Sequence, residues 1–255
     1  MPDTLTPAER AAADLSLLAA ATARLLTTCA GLDAEAVAAP SRLPGWSRAH
    51  VLTHLARNAD ALRGMLLAAR TGATLAPYPS AELRDADVVA GATRPAHLIL
   101  LDVRASAERF ALDAESLDPR TWSRPLVLSR PPSMLAADLP GHRLREVEAH
   151  HTDLAAGYDL TQTPAEVLRS FLGQLRVRFA GSALDPAVLI ATDLGDEWRI
   201  GAGDPGEGTG GGEGSAAGPR IAGPAAALLS WAMGRTGPGG LTSDRGDVPP
   251  SPGWG

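Results

Sequence analysis

Residues 43–62 read LPGWSRAHVLTHLARNADAL, and residues 142–158 read HRLREVEAHHTDLAAGY. Both stretches have helical spacing, and each holds side chains that commonly bind metal ions. Glu146 and His150 are four residues apart, so on a helix they lie one turn apart on the same face. Together with His54 from the first stretch they make two imidazoles and one carboxylate, the ligand count of a catalytic zinc site with an open coordination position.

Spacing alone leaves the choice of histidine ligands open. His50 and His54 are also four residues apart, so both are candidates. Neighbouring residues are rotated by about 100° around a helix. At most one of His150 and His151 therefore shares the face of Glu146.

The same helix carries two further acidic residues that spacing alone does not place. Glu148 lies off the face that holds Glu146. Asp153 follows His150 by three residues. It either hydrogen-bonds a ligand imidazole from outside the ligand set, or pairs with a nearby arginine.

The first part of the chain is predicted to be a helical bundle. Thr6, Pro7 and Glu9 form a helix-start signature of N-cap, first-position proline and capping box. Four long helices are predicted, at about 7–30, 47–71, 94–117 and 139–157. The third of these helices is predicted from the helical spacing of Leu98, Leu101, Ala105, Glu108 and Leu112, in which Glu108 is the one polar member. Four long helices joined by short or medium loops imply a four-helix bundle, and bundle cores are established places for metal sites.

After about residue 160 the pattern changes to that of a small α/β domain. A helix is predicted over 163–180, followed by two short β-like runs at 187–193 and 197–203. The segment GDPGEGTGGGEGSAAG, residues 203–218, lacks the order of a phosphate-binding loop and is interpreted as a flexible hairpin loop. A last helix is predicted at 224–235. The predicted class is α+β, with domains at 1–160 and 161–255.

Composition excludes several function classes. The net charge is −6, which argues against a nucleic-acid partner, and all 23 basic residues are arginine. Cys29 is the only cysteine and lies in an apolar helical stretch, which favours buried packing over catalysis. No signal peptide or membrane-spanning stretch is visible. We therefore predict a cytoplasmic protein without membrane or nucleic-acid partners.

Four segments together resemble the mycothiol-dependent maleylpyruvate isomerase family. They are LPGWSRAHVLTHLARNAD, YPSAELRDAD, REVEAHHTDLAAGY and GPAAALLSWAMGR, and the likeness extends from about Leu15 to Arg235. The resemblance implies an N-terminal four-helix bundle of the DinB-like type and a smaller C-terminal α/β domain. It further implies that His54, Glu146 and His150 are the metal ligands, and that Arg235 is the catalytic arginine.

The resemblance also implies a reaction. Zn²⁺, or another divalent metal, would activate the thiol of mycothiol, whose thiolate adds to the cis double bond of maleylpyruvate. Rotation and elimination would then release fumarylpyruvate, a step in the degradation of gentisate-type aromatics. The implied partners are a small thiol and a small carboxylate, and the chain would be a monomer or homodimer.

Two other functions start from the same residues. A mycothiol S-transferase would use the same thiolate and retain the thioether. A non-enzymatic DinB-like zinc-binding regulator, such as an anti-sigma factor, belongs to a different class. The lack of a Cys-His cluster near Cys29 argues against that redox-sensing role.

Overall fold

A computed structural model describes residues 5–73, 80–126, 134–179, 185–201 and 218–253. The chain divides into two compact units, Met1–Asp159 and Leu160–Gly255. Most described residues are helical, with a small sheet in the second unit. This confirms the predicted α+β class. None of the helices in the described ranges is long and apolar enough to cross a membrane.

The first unit contains the predicted four-helix bundle. The α-helices described in this unit are α1 (Pro7–Ala30), α2 (Ala34–Ala38), α3 (Arg48–Thr71), α4 (Ala81–Ala92), α5 (Ala96–Glu115) and α6 (Leu139–Asp153). The four predicted long helices correspond to α1, α3, α5 and α6. The long helix α3 packs against α4, α5 and α6, and α1 packs mainly against α6. Two short strands, β1 (Pro125–Leu126) and β2 (Met134–Leu135), pair antiparallel before α6.

The start of α1 follows the predicted capping box. The Glu9 amide donates to Thr6 Oγ1 at 3.3 Å, and Glu9 Oε2 accepts from the Thr6 amide at 2.8 Å. Together these bonds satisfy two backbone donors that have no partner within the helix. Pro7 occupies the first helical position, where its missing N–H costs nothing.

The helix predicted at 94–117 is present as α5, but the row of residues that predicted it does not face the core. In that row Leu98, Leu101 and Leu112 are exposed, at 41%, 60% and 65%. The residues of α5 that are buried are Ile99, Val103, Ser106, Phe110 and Ala114. Both rows have helical spacing, so periodicity could not choose between them. Phe110 belongs to the buried row, and burying its ring removes more apolar surface from water than any leucine of the exposed row.

The helix α6 ends four residues earlier than predicted, at Asp153. Ala155 has φ = 51° and Gly157 has φ = 90°, so the chain is left-handed there and cannot continue the helix. The guanidinium of Arg48 donates to the carbonyl oxygens of Leu154 and Ala155, at 2.6 and 2.8 Å. These contacts satisfy carbonyl groups that the end of α6 leaves without helical partners.

The described part of the second unit contains two α-helices and one mixed four-stranded sheet. Its elements are α7 (Ala165–Phe179), β3 (Ala187–Ala191), β4 (Asp196–Ile200), β5 (Arg220–Gly223), α8 (Ala225–Ala232) and β6 (Thr242–Ser243). The strand order is β4-β3-β5-β6. The strand β3 pairs antiparallel with β4 and parallel with β5, and β5 pairs antiparallel with β6.

This order corrects the interpretation of the glycine-rich segment as a hairpin loop. The strands before and after it, β4 and β5, lie on opposite sides of β3 and do not pair with each other. The sequence pattern did not indicate β5, because RIAG is too short for a visible alternation. Except for Gly218, the segment at 203–218 lies outside the described residues.

Asp14 on α1 gives a prediction about stability and pH. Burial raises the pKa of its carboxyl group from 3.8 to about 6, and the nearby Asp138 adds to the rise while Arg10 and Arg145 oppose it. The folded pKa lies above the unfolded value, so ionisation of the buried carboxyl group lowers the free energy of unfolding. This loss of stability is absent below pH 4, grows between pH 4 and 6, and is complete above pH 6. We expect Asp14→Asn to stabilise the protein at pH 8 by about 1–2 kcal/mol, allowing for partial solvent screening.

The measurement is urea unfolding of both proteins at pH 4 and pH 8. The two unfolding free energies should agree at pH 4 and diverge at pH 8. Asp85→Asn, at an exposed position of α4, serves as the control and should change little at either pH. Equal stability of the parent and Asp14→Asn at pH 8 would show that Asp14 carries no burial penalty.

Candidate metal centre

The structure brings His54, Glu146 and His150 together between α3 and α6. One ligand atom from each lies within 4.8 Å of the others. Glu146 Oε2 is 2.9 Å from His54 Nε2 and 3.5 Å from His150 Nε2. The two imidazole rings are 4.6 Å apart in an edge-to-face arrangement. Among the residues that the structure describes, this is the one cluster with the donors for a metal ion.

A fourth side chain fixes the orientation of His150. Asp153 Oδ2 lies 2.9 Å from His150 Nδ1, and the Asp153 side chain is fully buried. A carboxylate accepts, so Nδ1 carries the proton of this hydrogen bond and Nε2 faces Glu146. Of the two roles left open for Asp153, the structure thus shows the bond to an imidazole of the cluster. Such carboxylate–imidazole pairs are typical around protein metal sites.

Arginines hold α3 and α6 in register around the cluster. Arg48, the first residue of α3, contacts the carbonyl groups at the end of α6 as described above. At the other side of the cluster, Arg143 of α6 donates from Nη1 to the Leu55 carbonyl and to Asn58 Oδ1 on α3, each at 2.8 Å. Arg48 also donates from Nη1 to the Ala36 carbonyl at 3.0 Å. The sequence pattern did not reveal either role, because these three partners of Arg48 and the Leu55 partner of Arg143 are backbone carbonyls.

His50 is not a member of the cluster and caps its own helix. Its Nδ1 accepts from the Ser47 amide at 3.2 Å and lies 2.8 Å from Ser47 Oγ. This places His50 in the third helical position of a capping box, where glutamate or glutamine is usual. The centre of the Trp46 ring lies 6.0 Å from that of His50 and 5.8 Å from that of His54.

The remaining candidates on α6 face α1. His151 is buried, stacks on the Tyr158 ring at 3.8 Å, and has Nε2 2.8 Å from Thr28 Oγ1. Burial lowers the pKa of His151 to about 4. Glu148 is fully buried and forms an ion pair with Arg24. Neither His151 nor Glu148 belongs to the cluster.

Burial and hydrogen bonding act in opposite directions on the cluster. Burial alone would raise the pKa of Glu146, but hydrogen bonds with His150 and His54 hold it well below 4.5. Burial alone would lower the pKa of His150, but its bonds with Asp153 and Glu146 raise it to about 9. Burial lowers the pKa of His54. The cluster therefore combines a carboxylate, a neutral imidazole and an imidazole that retains a proton at neutral pH.

These donors fit a divalent cation. Two imidazole nitrogens and one carboxylate oxygen converge within the span of a single ion, and borderline-soft ions such as Zn²⁺ accept that mixture. A cation would take the place of the proton on His150 Nε2, because ligand atoms must be deprotonated. The buried partner Asp153 then keeps the imidazole oriented without competing for the ion.

The other two residues considered for chemistry lie elsewhere. Cys29 is buried, and burial raises the pKa of its thiol to about 11, so it is no nucleophile at neutral pH. Arg235 lies in the second unit, three residues beyond the end of α8 rather than within that helix. Gly234 before it has φ = 70°, a left-handed conformation that ends the helix. Arg235 Nη1 is 3.4 Å from the carbonyl oxygen of Met233.

Comparisons with known proteins agree with this architecture. Two solved structures of mycothiol-dependent maleylpyruvate isomerase superpose with a TM-score of 0.82 and cover 98% of this chain and 98% of theirs. One of them, a mutant with a histidine replaced by alanine, is 24% identical, and the other is 25% identical. No curated protein sequence matches the chain.

The match to a family model concerns the helical unit. Residues 18–155 match the model of the mycothiol maleylpyruvate isomerase N-terminal domain. This range is more than half of the chain and contains α3 and α6 with all three residues of the cluster. The chain therefore belongs to the mycothiol maleylpyruvate isomerase family.

Proposed function

We propose that this protein is a zinc- and mycothiol-dependent cis-trans isomerase that converts maleylpyruvate to fumarylpyruvate. The observation that carries the proposal is the convergence of His54, Glu146 and His150 in a chain of this family. The solved relatives are described as mycothiol-dependent maleylpyruvate isomerases. With it we propose a cytoplasmic location and a role in the degradation of gentisate-type aromatics.

The three residues of the cluster would hold the ion. Two imidazoles and one carboxylate leave at least one coordination position for an external group. When bound, Zn²⁺ would lower the pKa of a thiol, ordinarily about 8.5, so that the thiolate predominates at neutral pH. Asp153 orients His150, and the helix contacts of Arg48 and Arg143 keep the two halves of the cluster in place.

The isomerisation needs an external thiol because the chain's single cysteine, Cys29, is buried and its thiol stays protonated at neutral pH. Addition of the thiolate sulfur to one carbon of the cis double bond would form a C–S bond, with the electron pair moving into the neighbouring carbonyl. The former double bond would then be single and could rotate. Return of the electron pair would break the C–S bond, release the thiolate and leave the trans product. Arg235 would bind a substrate carboxylate through its planar fork of N–H donors.

A direct assay with metal analysis tests this proposal. Purified protein should contain about one zinc per chain, and it should form fumarylpyruvate from maleylpyruvate only when mycothiol is present. Accumulation of a thioether instead would identify an S-transferase that uses the same thiolate. Zinc without either product would point to a non-enzymatic zinc-binding regulator. Each of these two results would overturn the isomerase proposal.

Arg235 gives a separate prediction about substrate binding. We expect Arg235→Gln to reduce kcat/KM by roughly 10²–10³-fold, because a charged hydrogen-bond partner of the substrate is lost. Arg235→Lys should recover only part of this loss, since an ammonium group cannot reproduce the two-pronged contact. Zinc content should stay at the parent value in both variants, which separates the effect from metal loss.

The matched control for Arg235 is Arg220→Gln. Arg220 lies in the same unit, is about half exposed, and pairs with Glu197 at 2.8 Å. Steady-state kinetics of the three variants should single out Arg235. If Arg235→Gln and Arg220→Gln gave the same kcat/KM as the parent, Arg235 would have no catalytic role.

A further inference from the structure

The outer face of α5 carries a row of apolar residues that the core does not use. The row is the one that predicted this helix, continued by one more step to Glu115. Its steps alternate between three and four residues, which is the heptad spacing of a helix face that packs against another helix. Three leucines of the row are exposed, Leu98 at 41%, Leu101 at 60% and Leu112 at 65%. Single exposed leucines are ordinary, but three along one face form an apolar patch of the kind that binds another protein.

The row points away from the rest of the bundle. With a turn of about 100° per residue, its mean direction is nearly opposite to that of the buried residues Ile99 and Phe110. On the side of α3 the flanking charges are used within the chain, because Asp102 and Arg109 form ion pairs with residues of that helix. A partner that covers the leucines must therefore come from outside the bundle.

On the side of α1 the flanking polar groups are not used within the chain. Glu108 and Glu115 border the groove between α1 and α5. Arg104 and His97 lie on the same side of α5, about one turn before Glu108 and about five turns before Glu115. None of these four side chains has a hydrogen-bond or ion-pair partner within the described ranges. This side of the helix thus carries an imidazole and a guanidinium in its first half and two carboxylates in its second half.

A second copy of α5 that runs antiparallel complements this pattern. A two-fold axis perpendicular to the helix at about residue 106 would relate the two copies. Because each residue advances a helix by about 1.5 Å, residues equally far before and after that point lie at the same height in the two copies. Arg104 of one copy then lies opposite Glu108 of the second copy, and His97 lies opposite Glu115. The symmetry repeats each of these pairs, as an interface between identical surfaces requires.

The same axis brings the leucines of the two copies together. Leu112 lies about 9 Å along the helix from the axis, and Leu101 and Leu98 of the second copy lie at about 7.5 and 12 Å on that side, so Leu112 falls between them. Ala105 lies within about 2 Å of the axis, where its small side chain lets the two helices approach closely. A parallel copy would instead place each charged group opposite its own counterpart, and like charges across an interface repel.

We propose that the protein forms a two-fold symmetric homodimer in which α5 packs antiparallel against α5 of the second copy. One pair of helices buries less than the roughly 800 Å² per partner of a standard stable interface. The exposed residues Ala19 and Ala23, across the groove on α1, extend the apolar surface only modestly. The dimer is therefore reversible, with a dissociation constant on the order of 100 µM. It needs neither the metal nor isomerase activity, so it stands or fails independently of the proposed function.

Sedimentation velocity of the full chain tests the proposal. Between about 5 µM and about 1 mM, the average mass should rise from the monomer value of 26.3 kDa towards twice that value and level off there. A mass that stays at 26.3 kDa up to about 1 mM overturns the proposal. A mass that continues to rise beyond the dimer also overturns it, because an interface with two-fold symmetry closes on itself.

Substitutions in the row locate the interface. Leu101→Glu and Leu112→Glu should each weaken the dimer at least about tenfold, because a carboxylate would be buried against leucines. Leu83→Glu is the matched control, since Leu83 is 53% exposed but lies on α4, and it should keep the dissociation constant of the parent. All three positions are exposed, so the variants should remain folded, which circular dichroism checks. Equal dissociation constants for the three variants would show that α5 is not the interface.

Charge reversal tests the antiparallel arrangement. Arg104→Glu and Glu108→Arg should each weaken the dimer roughly 5–10-fold, because each change places like charges opposite each other at two symmetric contacts. The double variant restores opposite charges at both contacts and should dimerise within about twofold of the parent. A double variant as weak as the single variants would refute the antiparallel register. Single variants that dimerise like the parent would show that these charges do not meet across the interface.

Discussion

Replacing His54 with glutamine should abolish both zinc binding and isomerase activity. The ring nitrogen of His54 lies 2.9 Å from Glu146, and no other imidazole of α3 points into the cluster. Loss of one ligand of three leaves a carboxylate and one imidazole, which hold Zn²⁺ poorly in competition with a chelator. We expect zinc to fall below about 0.1 per chain after dialysis against a chelator, and kcat/KM to fall by at least about 10³-fold.

The structure offers an unusually close control for this experiment. His50→Gln makes the same chemical change one turn earlier on the same helix, and glutamine at this position can retain the capping box with Ser47. His50→Gln should therefore keep its zinc and most of its activity. Retention of zinc by His54→Gln, or loss of zinc from His50→Gln, would show that the ligand assignment is wrong.

The largest effect on stability is expected for Glu148→Gln. Glu148 has no exposed side-chain surface and forms an ion pair with Arg24, while the Tyr158 hydroxyl donates to its other oxygen. The glutamine keeps the shape but leaves the Arg24 guanidinium without its counter-charge. Breaking a buried ion pair from one side costs about 3–5 kcal/mol, and we expect the lower end because Arg24 is 30% exposed.

Urea unfolding of the parent and the variant measures this cost. Glu108→Gln, at an exposed position of α5, should change the unfolding free energy by less than about 0.5 kcal/mol. The folded fraction of Glu148→Gln should still bind zinc, because the glutamate faces α1 rather than the cluster. A loss of stability below about 1 kcal/mol would mean that water or another charge compensates Arg24.

Helix bounds were predicted well where an N-cap residue stands directly before a row of helically spaced apolar residues. The start of α1 at Pro7 and the bounds of α3 followed from Thr6, Ser47 and the apolar row of α3. The orientation of α5 could not be predicted, because leucines occupy two faces of that helix and only packing decides which face is buried. The end of α6 escaped prediction for a related reason: Ala155 is left-handed, which alanine rarely is.

The candidate ligands followed from spacing only in part. Helical geometry placed Glu146 and His150 together, but it could not separate His50 from His54 or bring two distant segments into contact. The family resemblance made that choice. In the structure the Nδ1 atom of His50 contacts Ser47. His151 likewise has other partners, because its Nε2 contacts Thr28 and its ring stacks on Tyr158. A partner at long sequence separation, Thr28, decided the case of His151, whereas the partner of His50 is the nearby Ser47.

The placement of β4 and β5 on opposite sides of β3 has a practical consequence for engineering. Ile200 at the end of β4 pairs with Ala187, and Arg220 at the start of β5 pairs with Val188, so both ends lie beside the beginning of β3. Two strand spacings separate them, a span of roughly 10 Å. A folded reporter domain whose own termini lie about that far apart can therefore be spliced in place of residues 201–219 without pulling the sheet strands out of register.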